Sequence, residues 1–168
     1  MPRYLGGVDD FLARSAKAWQ GKVNILHSSF DPVNIQVNGN RATSEAFCVI
    51  TSSISFEGVD YELASYMRLC SRLEKVTGDG DVADQWYILS LESVYVRDRL
   101  LTASPGSAGT LVMTDDIRDS YPKGYRHLAL VMKQRGLKPR PNLPHEDDQE
   151  GVKELLQRNE TFLRGKYN

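Results

Sequence analysis

Three long runs of strand-forming residues sit close together in the middle of this chain, and they limit its fold more than any other feature. They extend from Ser44 to Phe56, from Tyr61 to Val76 and from Gln85 to Leu100. Only Glu57-Gly58-Val59-Asp60 separates the first two, and a loose polar stretch from Thr77 to Asp84 separates the last two. Connections this short reverse the chain, because parallel neighbours need a crossover of about a dozen residues or more. Twist accumulates along strands of this length, so the sheet is expected to curl. A shorter alternating run, Val33-Asn34-Ile35-Gln36-Val37, precedes them and ends in Asn38-Gly39-Asn40, a strong hairpin signal.

Burial parity sharpens the central hairpin. Ala46, Cys48, Ile50, Ile54 and Phe56 form one apolar face, and Tyr61, Leu63, Met67, Leu69 and Leu73 form the next. A slip of one residue moves a whole set to the opposite side, so even positions must face odd ones. A two-residue loop at Gly58-Val59 meets that condition, with Phe56 opposite Tyr61, Ile50 opposite Met67 and Glu45 across from Arg72. Cys48 and Cys70 then point to opposite faces and form no disulfide.

Helical patterns flank the strands. Asp9-Asp10 reads as a cap region before Phe11, Leu12, Ala16 and Trp19. Thr114 caps a segment with Ile117, Tyr121, Tyr125, Leu128 and Met132, which Pro122 and Gly124 divide and Gly136 ends. Asp147 or Asp148 starts a last helix with Val152, Leu155, Leu156 and Phe162 inward, ending near Gly165. The order is α+β: one domain over residues 1–168, with a C-terminal helical extension over 110–168.

Composition excludes several function classes. Lys+Arg 21 against Asp+Glu 22 gives a net charge of -1, which offers no basic footprint for nucleic acid or anionic lipid. No apolar run approaches the ~20 residues of a membrane span. The opening MPRYLGGVDDF lacks the build of a signal peptide, and the chain has only 2 cysteines, so a cytoplasmic setting is expected. There is no CxxC, HExxH, GxSxG or P-loop. His27, His127 and His145 have no metal-ligand spacing, and no metal or cofactor is expected.

An acid/base set remains. His27 lies in Ile25-Leu26-His27-Ser28-Ser29-Phe30-Asp31-Pro32, between the first helical pattern and the first expected strand. In a pocket between helix and sheet it suits proton transfer, with Asp31 four residues on to orient it. Packed under the sheet edge, it instead satisfies a backbone carbonyl, and Asp31 before Pro32 is a turn residue. Tyr61, Tyr66, Tyr87 and Tyr95 lie on strands. A phenol inside a curved sheet can polarise a carbonyl, while the bland role is core with a polar tip. Arg97-Asp98-Arg99 reads as strand-end solvation, and Glu146-Asp147-Asp148 as charge at a helix N-terminus.

The stretch from Ile25 to Val37 resembles the SnoaL-like branch of the nuclear-transport-factor-2-like superfamily. His27 stands where such proteins often place a histidine. Val33 to Val37, Gly39-Asn40 and Arg41-Ala42 follow the family's strand, turn and Arg-Ala pair, and Trp86 with Ile88 opens the last strand as in the family. The later elements resemble a fungal subgroup: Tyr95 with Asp98, Gly124-Tyr125-Arg126-His127-Leu128, Leu143-Pro144-His145-Glu146-Asp147-Asp148 and Phe162-Leu163-Arg164-Gly165.

The resemblance implies a cone, a strongly bent sheet wrapped on helices around a pocket. It also implies a cofactor-free dehydratase, isomerase or polyketide or terpenoid cyclase for a hydrophobic secondary metabolite. His27 would be the base or acid, with Asp31 and Tyr61, read from the residues themselves and not from the family pattern, completing the catalytic group. Family members usually begin with two helices bearing a tyrosine and an aspartate of that group, whereas only about thirty residues precede the first strand here, so His27 alone carries over. The other expectation is a non-catalytic ligand-binding or dimerisation module. Its homodimer would form through an outer sheet face carrying Phe47, Val49, Thr51, Tyr66 and Cys70 beside Glu45, Arg68 and Arg72.

Overall fold

The computed structural model describes residues 25–78, 83–104 and 106–165, together with positions 9 and 13. The expected first stripe of Phe11, Leu12, Ala16 and Trp19 lies outside them. Five strands form an open antiparallel sheet: β1 (Ile25–Ser29), β2 (Val33–Asn38), β3 (Arg41–Phe56), β4 (Val59–Val76) and β5 (Gln85–Thr102). The sheet order is β1-β3-β4-β5, and β2 also pairs with β3. Three helices follow, α1 (Asp115–Ser120), α2 (Arg126–Gln134) and α3 (Gln149–Leu163), with a 3-10 turn at Lys123–Tyr125 before α2.

Turn chemistry explains the first hairpin. Asn38 pairs with Arg41, so Gly39-Asn40 is a two-residue loop, and Gly39 has φ 62 at its first central position. Glycine takes that conformation at little cost. Further along, Val33 pairs with Glu45 and Gln36 with Thr43, so β2 carries an extra residue. Asn34 absorbs it with φ 51, and its side-chain amide donates to Glu45 Oε1 at 3.4 Å.

The central hairpin turns one residue earlier than the expected Gly58-Val59 loop, and even positions still face odd ones. Glu57 (φ 49) and Gly58 (φ 77) form the loop and Val59 already belongs to β4. Two consecutive left-handed residues match the twist of the flanking strands, and Gly58-Val59 would force a β-branched residue into that region. Ser55 and Asp60 bond side chain to side chain across the loop. Glu45 therefore meets Arg68, not Arg72, and Arg72 reaches Ser90 and Glu92 on β5. The apolar faces are as expected where burial is deepest: Cys48, Ile54, Tyr61, Leu63, Met67 and Leu69 are buried. Cys48 and Cys70 are buried free thiols.

The described chain falls into two compact units built from interleaved stretches. The first takes Ile50–Ser65 and Arg97–Leu143 and reaches back to His27; the second takes Ser28–Val49, Tyr66–Val96 and the chain from Pro144 on. The expected extension over 110–168 is thus divided at Leu143.

In the first unit, Ile54, Tyr61, Leu63 and Val131 form a core, with Phe56, Val59, Leu100, Leu111 and Leu128 against it. Thr114 caps α1 by accepting from the Ile117 N–H at 3.4 Å. The Tyr121 hydroxyl donates to the Pro139 carbonyl and the Tyr125 hydroxyl accepts from the Leu143 N–H, which ties the extended segment after Gly136 to the link between α1 and α2.

In the second unit, α3 lies on β4 and β5. Leu155 is fully buried against Cys70 and Val94, Arg158 reaches Glu92 at 3.0 Å, and the guanidinium groups of Arg41 and Arg72 stack on Phe162. Asp148 caps this helix by accepting from the Gly151 N–H at 3.0 Å. This packing corrects the expected dimer surface. Cys70 is 1% exposed under α3 and Arg72 faces Phe162, so that part of the sheet is already occupied by the chain itself.

Candidate functional site

The residues singled out from sequence do not converge. Ile25–Ser29 is itself a strand, so His27 sits within β1 and not ahead of the first strand, and it is exposed. Asp31 is exposed in the link to β2. Tyr61 is 3% exposed, and its hydroxyl is engaged by the segment after β5. It lies 3.1 Å from Thr110 Oγ1 and accepts the N–H groups of Thr110 and Leu111 at 2.5 and 2.9 Å. Burial alone would raise this phenol, but the bonds from the Thr110 side chain and from the Leu111 and Thr110 backbone outweigh it and hold the group below its ordinary value. Tyr61 therefore pins residues 110–111 to β4, with Ala103 N–H bonded to the Asp60 carbonyl beside it.

A different pair has the geometry of an acid/base site. Asp98, near the end of β5, has a side chain that is 0% exposed, and one oxygen lies 2.7 Å from His127 Nδ1. Its other oxygen accepts the Leu128 N–H at 2.7 Å. His127 stands in the first turn of α2, with 36% of its side chain exposed. The buried carboxylate holds Nδ1 as the proton-bearing nitrogen and leaves Nε2 as the nitrogen that can take or give a proton. Two bonds from one rigid carboxylate, to ring and backbone, fix the imidazole orientation.

Asp98 has a structural task as well. The residue before α2, Tyr125, makes no side-chain capping bond, so Asp98 supplies from β5 the acceptor that the first turn lacks. This corrects the strand-end reading of Arg97-Asp98-Arg99, because a solvated carboxylate would not be enclosed. The sequence signal was split. Asp98 and His127 stand in two separate short motifs, 29 positions apart, and neither spacing nor periodicity joins them.

The other acidic cluster is also divided. Asp148 caps α3, as a helix-start role requires, whereas Glu146 pairs with Arg68 at 3.1 Å. Arg68 in turn bonds Glu45 at 2.8 Å, giving a partly buried carboxylate–guanidinium–carboxylate set. Beside α2, a hollow lined by Tyr125, Leu128, Met132, Lys138, Pro139 and Leu143 holds no more than about one water molecule. Among the described residues no group of three His, Cys, Asp or Glu side chains could hold a metal ion, and no helix is long and apolar enough to cross a membrane.

No known family profile matches the chain. Over 121 residues it is 25% identical to Pea pathogenicity protein 2 of Fusarium vanettenii, a stretch covering 71% of this chain and 48% of that protein. The chain thus spans about half the length of this relative.

Proposed function

We propose that this chain is an acid/base enzyme of the SnoaL-like branch of the nuclear-transport-factor-2-like superfamily, with His127 as its proton-transferring group. The observation that carries this reading is the enclosed Asp98 carboxylate bonded to a partly exposed imidazole. The fungal relative, the antiparallel sheet with its helices and the two motif residues that meet, Asp98 and His127, support the family. In this reading the sheet bends into the family cone. The substrate is a small hydrophobic molecule, and the reaction is a dehydration, isomerisation or cyclisation in which Nε2 removes a proton from carbon and returns it elsewhere. His27 on β1 is the alternative proton-transferring group.

The test uses proton exchange, which needs no knowledge of the natural substrate. The full chain is incubated in heavy water with a panel of bicyclic aromatic ketones, and deuterium uptake next to the carbonyl is followed by NMR. Uptake lost in His127→Ala, reduced in Asp98→Asn and kept in His27→Ala is the expected result. Loss in His27→Ala alone moves the site to β1, and uptake indifferent to both histidines removes the enzyme reading.

A second reading, a non-catalytic module that binds ligands or assembles, is favoured by the apolar surface of the second unit. Phe30, Val33, Ile35, Val37 and Phe47 are between 46% and 67% exposed there. Patches of this kind mark interaction sites.

A further inference from the structure

β5 is the last strand in the sheet order, so one of its edges faces no further strand among the described residues. That edge is bridged at one place. Tyr95 donates its N–H to the Pro144 carbonyl at 2.9 Å and its carbonyl accepts the Glu146 N–H at 2.9 Å, which makes residues 144–146 a one-residue parallel strand. Strand geometry alternates, so the earlier residues that share parity with Tyr95, namely Gln85, Tyr87, Leu89, Leu91 and Ser93, present their N–H and C=O groups to the same edge.

Side chains distinguish this stretch from an ordinary edge. Trp86 and Ile88 on one face are 42% and 62% exposed, and Tyr87, Leu89 and Leu91 on the other are 51%, 50% and 53% exposed. Gln85–Leu91 contains no charge, no proline and no glycine. The flanking charges are already engaged, Asp84 by Lys75 and Glu92 by Arg72 and Arg158. Natural edge strands are normally protected by charge, proline or a covering segment, and this one has none of them among the described residues.

We propose that Gln85–Leu91 pairs with the same segment of a second copy of this chain, antiparallel about a two-fold axis at Ile88. In that register Tyr87 stands opposite Leu89, Gln85 opposite Leu91 and Trp86 opposite Ser90. The outward groups of the four odd-numbered residues then form about eight backbone hydrogen bonds. A partner with the same sequence brings no like charges together, which the absence of charge between Asp84 and Glu92 ensures. Five side chains with roughly half their surface free offer at most about 500 Å² per copy, or about 1,000 Å² in all, so a dimer through this edge alone lies at the low end of specific interfaces. This assembly stands whether or not His127 is catalytic, and it uses a different surface from the outer face that α3 partly occupies.

The register supplies its own test, because Ile88 faces Ile88. Sedimentation of the full chain at tens of micromolar should show a dimer, and Ile88→Lys or Ile88→Glu alone should weaken it by about tenfold or more. Mixing the two variants should restore a dimer, which a misfolded variant could not do. Ile88→Cys should cross-link to its own copy under mild oxidation, since non-hydrogen-bonded partners bring Cβ atoms within disulfide reach, while the buried Cys48 and Cys70 should not react. A wild-type monomer at that concentration overturns the proposal. So does a dimer that Ile88→Lys leaves unchanged, which would place the interface around Phe47, or would show that the β5 edge takes a different occupant.

Discussion

β5 is one continuous strand with two contrasting stretches. From Gln85 to Leu91 it is almost wholly apolar, yet every side chain but Ser90 is exposed. From Glu92 to Asp98 it carries three acidic or basic residues, yet Val94, Tyr95 and the Asp98 carboxylate are buried. Leu155 lies over Val94, the 144–146 bridge holds Tyr95, and His127 with the Leu128 N–H encloses Asp98. Both stretches form strand equally well. What separates them is whether another part of the chain lies over them, so the more hydrophobic half is the less buried one.

The contrast is sharpest in truncation. Leu155→Ala should cost about 2–5 kcal/mol, since it empties a site that is 0% exposed against Cys70 and Val94. Leu89→Ala, in the bare half, should shift the stability of dilute protein by no more than about 0.5 kcal/mol. Chemical denaturation of both variants checks this, and equal losses would break the comparison.

Asp98→Ala should come next, at about 2 kcal/mol, because it leaves the Leu128 N–H and His127 Nδ1 without their enclosed acceptor. Asp98→Asn should lose less, as an amide oxygen still accepts from Leu128. Amide exchange in the first turn of α2 should rise in the alanine variant and stay slow in the asparagine one.

The effect confined to alkaline pH, and absent near neutrality, concerns Cys70 beneath α3. Burial first, and Glu45 after it, push this thiol up to about 11, with Arg68 opposing. The folded state keeps the thiol protonated while the unfolded chain ionises near 9. Its contribution is therefore complete below about pH 9 and disappears as pH rises to about 11. Stability measured across that interval should fall less steeply in Cys70→Ala than in the wild type.

Much of the architecture could be read from local chemistry. Thr114 and Asp148 act as caps, Gly39 supplies the left-handed turn residue, and Pro122 with Gly124 divides the helical segment, because each effect involves neighbours within four residues. The long strands and their buried faces were legible from alternation. The candidate site was not, because its partners come together only through the fold. Asp98 looked like a strand-end charge and His127 like one residue of a helix, and the bond between them depends on where α2 returns to β5. His27 stood out in the sequence for its position before a strand-like run, but Ile25 to Ser29 pairs beside β3 and displays that histidine at the surface. Likewise, α3 covering Cys70 could not be foreseen from a strand pattern that marks only which residues share a face.

The bridge at Tyr95 sets a boundary that reaches beyond the single chain. Any strand that joins the edge of β5 can run along Gln85–Leu91 but meets residues 144–146 soon afterwards, so the contact has a fixed length. Two copies paired as proposed would occupy Gln85–Leu91 of each other's edge, leaving little of it beyond Ser93 to recruit a third. A segment whose composition would otherwise favour open-ended stacking is thus confined to a closed pair. The loop between Leu143 and Asp148 acts as its end stop.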